Sequence, residues 1–371
     1  MGEKYNPVNP LADRKTDHIT LAVDNDGFAS GSTWLECVKL IHNPLPDLNL
    51  GDLSTSFTLF GKKIDAPVLI DALTGGTDLS TTINSRLAIT AEKYHLPLCV
   101  GSQRILLENP SLDASFRVIR QNAPSAVIWG NIGFAQVREM KNFQNIDALV
   151  SIIEADALCV HLNPLQEMIQ CDGNKQFAGS LQRICELRDY LGIPVVLKEV
   201  GAGFSQKFVS LLVQQGFLNF NVAGYGGTNF ALIEGRRAAT QNDENNEFYA
   251  QIATTFAEWG IPTAASILET RRVLPESGIL IASGGIRTGL DMAKSLSLVA
   301  DLCGIAYGFL KQAVKSQEDV DGYYQRLQYE LQMAMILTGS HTLNDLRNTP
   351  HVILPPLENW ASQRNLGGRS Q

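Results

Sequence analysis

Residues 157–177 read ALCVHLNPLQEMIQCDGNKQF, and the first seven of them decide the fold. Ala157, Leu158, Cys159 and Val160 form a short apolar run of the kind found in a strand buried on both faces. That run leads into His161, Asn163, Gln166 and Glu167, four polar side chains within seven residues. Asn163 precedes Pro164, and proline disfavours helix at the residue before it and lacks an amide donor, so the polar groups leave the strand at a turn. A polar, glycine-containing loop with one cation, Lys175, follows over 171–177. Taken alone, the tip has an ordinary explanation: strand-end His and Asn satisfy turn carbonyls, and a single Glu is a solvated carboxylate. Its neighbours change that balance.

Apolar runs of the same kind begin at Pro67 (PVLIDAL), Pro97 (PLCVGS), Ala126 (AVIWGN), Pro194 (PVVLKEV), Phe217 (FLNFNVAG), Ile279 (ILIASGG) and Leu302 (LCGIAYG). The first four strands start about thirty residues apart, room for a crossover helix between each pair. The helices fit at 79–93, 112–121, 180–191, 206–215 and 290–299. A ninth candidate strand, 262–267, is set aside: 261–263 reads as a short entry into a helix over 264–274, because Ala264, Ala265, Leu268 and Glu269 favour helix. The connection 225–278, with its polar run 241–247, is then an insertion between strands six and seven. Eight such units predict an α/β fold, a closed parallel TIM (β/α)8 barrel over 66–345 with its site at the C-terminal strand ends. An N-terminal extension (1–65), with a small antiparallel piece near 56–60, and a C-terminal tail (346–371) flank it.

Composition sets the outer limits. A hydrophobic content of 44% against 18% charged residues is that of a globular chain with a large core. A formal charge of −8 without a cluster of Lys and Arg argues against nucleic acid, so an anionic ligand must be held by a few placed cations. No stretch approaches the eighteen apolar residues of a membrane span, and the first eighteen residues lack the apolar core of a signal peptide, so a cytoplasmic location is expected. Six cysteines without a C-x-x-C pair read as reduced, mostly core thiols, with no zinc cluster.

The unusual residues gather at the expected rim: Thr74-Gly75-Gly76, Ser102-Gln103-Arg104, Asn131, His161 with Asn163, Lys198-Glu199, Gly224 to Thr228, and Gly284-Gly285. The Gly pair after strand seven runs into a helix, an arrangement that lets amides approach a phosphate; close barrel packing is the competing explanation. Lys198 follows three apolar residues, so its cation needs an anion, an electron-rich ring, or a carboxylate such as Glu199. Arg104, with Arg14 and Lys15, offers charge for a second phosphate-bearing ligand, and Glu167 as a single carboxylate suits a hydrated Mg²⁺ shared with a diphosphate.

These residues match a pattern. RKTDH at 14–18, ALTGG at 72–76, GSQR at 101–104, GNIG at 130–133, HLNPLQE at 161–167, VLKEVGAG at 196–203, GYGGTNF at 224–230, WGIPTAAS at 259–266 and ASGGIRTGLDMAK at 282–294 follow in order. With them the chain resembles the type 2, flavin-dependent isopentenyl-diphosphate isomerases over essentially its whole length. The resemblance implies an FMN-binding barrel that works with reduced FMN and Mg²⁺, with NADPH as reductant, and interconverts isopentenyl and dimethylallyl diphosphate. It also implies a homo-oligomer, tetramer or larger.

By position, the resemblance assigns FMN contacts to Ala72, Leu73, Thr74, Ser102, Asn131, Lys198, Thr228, Gly284, Gly285, Ile286, Ile305 and Ala306. It assigns substrate contacts to Arg14, Lys15, His18, Arg104, His161, Asn163 and Gln166, with Gln166, His161 and Asn163 nearest the chemistry, and the magnesium ligand to Glu167. Two departures stand out. Leu73 replaces a usual methionine, and Lys175 replaces an arginine, losing a bidentate phosphate contact. The rival within this architecture is an FMN-dependent 2-hydroxy-acid oxidase, which needs a histidine base and an arginine around strands six and seven, where this chain has Gly224 to Thr228 and no histidine nearby.

Overall fold

The strands carry the architecture, and their inward and outward sides differ from the first residue. The computed structural model describes residues 19–21, 31–240 and 244–366. Eight parallel strands close a barrel: β4 (Val68–Ile70), β5 (Leu98–Cys99), β6 (Ile128–Gly133), β7 (Ala157–His161), β8 (Val195–Lys198), β9 (Asn219–Asn221), β10 (Ile279–Ser283) and β11 (Leu302–Ile305), in sequence order round the ring, with β11 beside β4. These are the eight runs expected from the sequence. The helices Asp78–Lys93, Ala114–Asn122, Ser180–Tyr190, Gln206–Gln214 and Gly289–Ser297 lie within two residues of their expected limits. Residues 261–262 lead into the helix Thr263–Arg271, with Pro262 bridging to Tyr225, so no ninth barrel strand forms. The insertion between β9 and β10 consists of that helix and two before it, Phe230–Thr240 and Glu244–Thr255.

Because strand side chains alternate, every second residue points into the barrel. Leu69, Cys99, Trp129, Cys159, Val196, Ile281 and Leu302 form one buried cluster inside the ring. Val68, Ile70, Leu98, Ile128, Leu158, Val160, Leu197 and Ala282 pack outward in a second cluster shared with the helices. The barrel floor is sealed by a hairpin, β2 (Phe57–Leu59) and β3 (Lys62–Ile64), preceded in the chain by β1 (Val38–Leu40). Leu59 and Ile64 join the interior cluster, and Phe60 lies against Trp129 with ring centroids 5.7 Å apart. The hairpin is the small antiparallel piece read near 56–60, and among the described residues it closes the end of the barrel opposite the C-terminal mouth.

One long-range element has no forerunner in the sequence reading. Residues after 342 carry the helices Leu343–Arg347 and Leu357–Gln363 and a strand, β12 (His351–Ile353), which pairs antiparallel with β1. Trp360 and Arg364 fix this end to the barrel through Glu269, whose side chain is fully buried. Its Oε1 accepts from Trp360 Nε1 at 3.0 Å and Arg364 Nε at 2.7 Å, and its Oε2 from the Gln206 amide at 2.7 Å. Burial pushes this carboxyl up, but Arg364, the Gln206 amide and the Trp360 indole outweigh it and hold the group below the usual glutamate range.

A carboxylate held below its unfolded value stabilises the fold above that value and loses the contribution as pH falls through the lowered one. Glu269→Gln is therefore expected to cost about 2–3 kcal/mol in urea unfolding at pH 7, with the gap from the native protein narrowing as the pH is lowered. An equal gap at both ends of the titration would contradict this account.

Candidate active site

One residue step above the apolar layer, the inward positions turn polar. Leu69 is followed two residues on by Asp71, Trp129 by Asn131, Cys159 by His161, Val196 by Lys198, Ile281 by Ser283 and Leu302 by Gly304. The same alternation that fills the barrel thus sets a ring of polar groups and small residues around its mouth. Two adjoining cavities open there. The outer one is lined by Ala72, Leu73, Thr74, Ser102, Arg104, Asn131, His161, Asn163, Gln166, Glu167, Lys198, Thr228 and Ala306, among others. The inner one is walled by Asp71, Ser283, Gly284, Gly285, Ile286, Gly304 and Ile305, and shares Ala72, Lys198, Thr228 and Ala306 with its neighbour. Each residue within the described chain to which the resemblance assigns an FMN, substrate or magnesium contact lines one or both cavities. Arg14, Lys15 and His18 lie outside the described residues.

The tip of β7 is held in place by its neighbours. Asn131 Nδ2 donates to the Val100 carbonyl at 3.0 Å, so its Oδ1 is the acceptor 2.9 Å from His161 Nδ1, which therefore carries the proton. Gln103, fully buried, braces Asn131 in turn: its Oε1 accepts from the Asn131 amide at 3.1 Å and its Nε2 donates to the Leu149 carbonyl at 2.8 Å. After Asn163, Pro164 occupies the first turn of the helix Pro164–Ile169, so Gln166 and Glu167 are helical and Glu167 is buried, 4% exposed, rather than a solvated loop carboxylate. Asn163 Nδ2 donates to Gln166 Oε1 and Glu167 Oε1, both at 3.1 Å. Glu167 Oε2 accepts from the Asn174 amide at 2.7 Å, so the 171–177 loop folds back over the carboxylate. A Cβ at Gly173 would stand 2.1 Å from the Glu167 carbonyl, which makes glycine necessary for that fold-back.

Two participants were not apparent in the sequence. Glu234, 1% exposed on the insertion helix Phe230–Thr240, accepts from Gln166 Nε2 at 3.1 Å and from Arg237 Nε at 3.0 Å. Together with Asn163 it fixes which way the Gln166 amide faces. The other is Asp71, the carboxylate that matters most to Lys198. The Glu199 side chain turns away: its Oε2 accepts from the amides of Val200, Gly201 and Ala202 at 2.6, 2.9 and 2.6 Å, while Lys198 Nζ donates to the Glu199 carbonyl at 3.0 Å. Burial pushes the Glu199 carboxyl up to about 7 against the pull of those three amides and Lys198. Burial also works against a charged Lys198, but attraction first to Asp71 and also to Glu199 leaves its ammonium more firmly protonated than an ordinary lysine. Lys175 lines neither cavity; its Nζ donates to Tyr249 Oη at 2.6 Å and sits over that ring.

The walls suit particular partners. Gly284 and Gly285 adopt φ of +94° and +79°, and a Cβ on either would meet the backbone of Gly224 or Gly226 within 2.6 Å, so close packing and a smooth cavity wall both require glycine there. A planar, partly anionic cofactor fits such a wall with Lys198 in it. A divalent cation fits the outer cavity on narrower grounds. Asn163 Oδ1 is buried there without a hydrogen-bond partner, beside the Glu167 carboxylate. Among the described residues no group of three His, Cys, Asp or Glu could hold a metal alone, so such an ion would take most of its oxygens from ligand and water.

The family of FMN-dependent dehydrogenases matches residues 161–353. Mandelate oxidase with (S)-2-phenylpropionate superposes with a TM-score of 0.63 over 93% of this chain and 98% of that one at 18% identity, a likeness of fold. The isopentenyl-diphosphate delta-isomerase of Pyrobaculum islandicum is 41% identical over 358 residues, 95% of this chain and 98% of that protein. The enzyme of the same name from Methanosarcina barkeri is 40% identical over 347 residues, 93% of each chain. With those identities spanning nearly the full length of each sequence, the chain belongs to the isopentenyl-diphosphate delta-isomerase family.

Proposed function

We propose that the protein is an FMN-dependent isomerase that interconverts isopentenyl and dimethylallyl diphosphate by moving a carbon–carbon double bond one position. The observation that carries this reading is the hydrogen-bonded cluster of His161, Asn163, Gln166 and Glu167 at the outer cavity, next to the glycine-walled inner one. The reaction adds a proton at one end of the alkene and removes one at the other, through an electron-poor carbon and without net oxidation. Reduced FMN, when bound, supplies an electron-rich ring and an exchangeable ring proton.

The protein's own groups do the holding. Lys198, Thr228, Gly284, Gly285, Ile286, Ile305 and Ala306 would seat the cofactor from one side, and Ala72, Leu73, Thr74, Ser102 and Asn131 from the other. Glu167, with the unpartnered Asn163 Oδ1, would hold Mg²⁺ on the diphosphate. His161, locked by Asn131, and Arg104 would bind the same anion, joined by Arg14, Lys15 and His18 from the extension 1–65. Gln166, its amide fixed between Asn163 and Glu234, would orient the alkene; an amide is a poor base, so its part is placement. NADPH would reduce the flavin without being consumed in step with product. A homo-oligomer belongs to the same reading, and Tyr329, Met333 and Leu337, exposed at four-residue spacing on the helix Gln317–Thr338, support one. A 2-hydroxy-acid oxidase would need a histidine base where the tip of β9 instead gives Gly224 to Thr228.

The direct test is anaerobic incubation with isopentenyl diphosphate, Mg²⁺ and FMN, with a trace of NADPH. Dimethylallyl diphosphate should form in large molar excess over NADPH consumed, and stoichiometric oxidation or an unmoved double bond would refute the reading. Glu167→Gln should lower Mg²⁺-dependent kcat/KM by about 100-fold while flavin absorbance of the purified protein stays unchanged. Joint loss of flavin and turnover would instead mean that the carboxylate supports the fold.

A further inference from the structure

Beneath the shared wall of the two cavities lies a chain of buried polar groups. Asp71, at the end of β4, is 3% exposed and lines the inner cavity together with Lys198 and Ser283. Its Oδ1 accepts from the Ala72 amide at 2.7 Å and its Oδ2 from Asn221 Nδ2 at 3.0 Å, so both oxygens act as acceptors. Asn221, 1% exposed, takes a short hydrogen bond from Ser283 Oγ on its own Oδ1, and Ser283 Oγ accepts from the Ala223 amide at 3.0 Å. The orientation of every group from β4 through β9 to β10 is thereby determined. Gly304 on β11 completes the enclosure, since a Cβ there would stand 2.8 Å from Asp71 Oδ2.

A carboxylate held this rigidly, lining the same cavity as a buried ammonium, acts on whatever shares the cavity. A flavin that accepts electrons or a nucleophile gains negative charge, and a nearby cation stabilises that state while a nearby anion opposes it. We propose that Asp71, oriented by Asn221 and Ser283, is a positioning residue that offsets the charge Lys198 presents to the flavin and so weakens the site as an electron sink. The inference rests on the flavin-dependent reading above. It gives this barrel a reason to disfavour the electron-accepting chemistry that an uncompensated lysine would promote, in keeping with a reaction that leaves electrons where they began.

The experiment uses flavin-loaded full-length protein and sulfite as probe. Sulfite forms an N–S bond to the oxidised ring and leaves it with an added negative charge, bleaching the flavin absorbance. Asp71→Asn should bind sulfite about tenfold more tightly than the native protein, and its flavin midpoint potential should rise. Lys198→Met should shift both readouts the other way. Flavin-loaded Asp71→Asn with unchanged sulfite affinity and potential would overturn the inference alone, whereas native protein that takes up no flavin would remove the functional reading and the inference together. If Asp71→Asn does not fold, the double variant Asp71→Asn/Lys198→Met decides: recovered folding supports a coupled pair of charges, and equal misfolding overturns it.

Discussion

A strand buried on both faces has only its end in which to keep a polar side chain, and this constraint governs the molecule. Inside the ring, Leu69, Trp129, Cys159, Val196, Ile281 and Leu302 exclude water, and the β2–β3 hairpin closes the floor beneath them. The next inward position on each of those strands is then the first that ligand or solvent can reach. Asn131, His161, Lys198, Asp71 and Ser283 stand there because the pleat repeats every two residues. Shifting any one strand by a single residue would bring an outward-facing apolar side chain into the mouth and push its polar group among the helices, where it would lack a partner.

This explains which features could be read in advance. The eight strands and their crossover helices were legible because buried strands are short apolar runs punctuated by Pro and Gly. The rim was legible because polar residues at such strand ends are hard to attribute to solubility. Asp71 was hidden inside PVLIDAL, where it looked like an interruption of a strand, and only the alternation Leu69-in, Ile70-out, Asp71-in gives it a direction. Glu234 lay on an insertion helix far along the chain from its partner Gln166, and no local pattern links the two. The burial of Glu167 depends on the 171–177 loop folding back, a tertiary event that hinges on Gly173. Strands β1 and β12 are three residues each, and nothing local distinguishes them from loop.

The insertion also changes how the site is supported. Ile169 on the short helix that bears Gln166 and Glu167 packs with Ala231 and Ala253 of the two insertion helices, backed by Leu165 and Ile252. Gly235 lets those helices approach until a Cβ there would stand 2.2 Å from the Ala253 methyl. Lys175 and Tyr249 tie the neighbouring loop to the insertion helix Glu244–Thr255. The polar cluster is therefore clamped between the barrel on one side, through Asn131, and the insertion on the other, through Glu234. A side chain braced from two independent elements has fewer rotamers to lose when a ligand arrives.

The ladder between Val38–Leu40 and His351–Ile353 joins stretches about three hundred residues apart, and closing so long a loop in a free chain would be entropically costly for three paired residues. It becomes favourable only after the ring has already brought both stretches to one place. The small ladder thus acts as a seal on the finished barrel, forming only once the ring is closed.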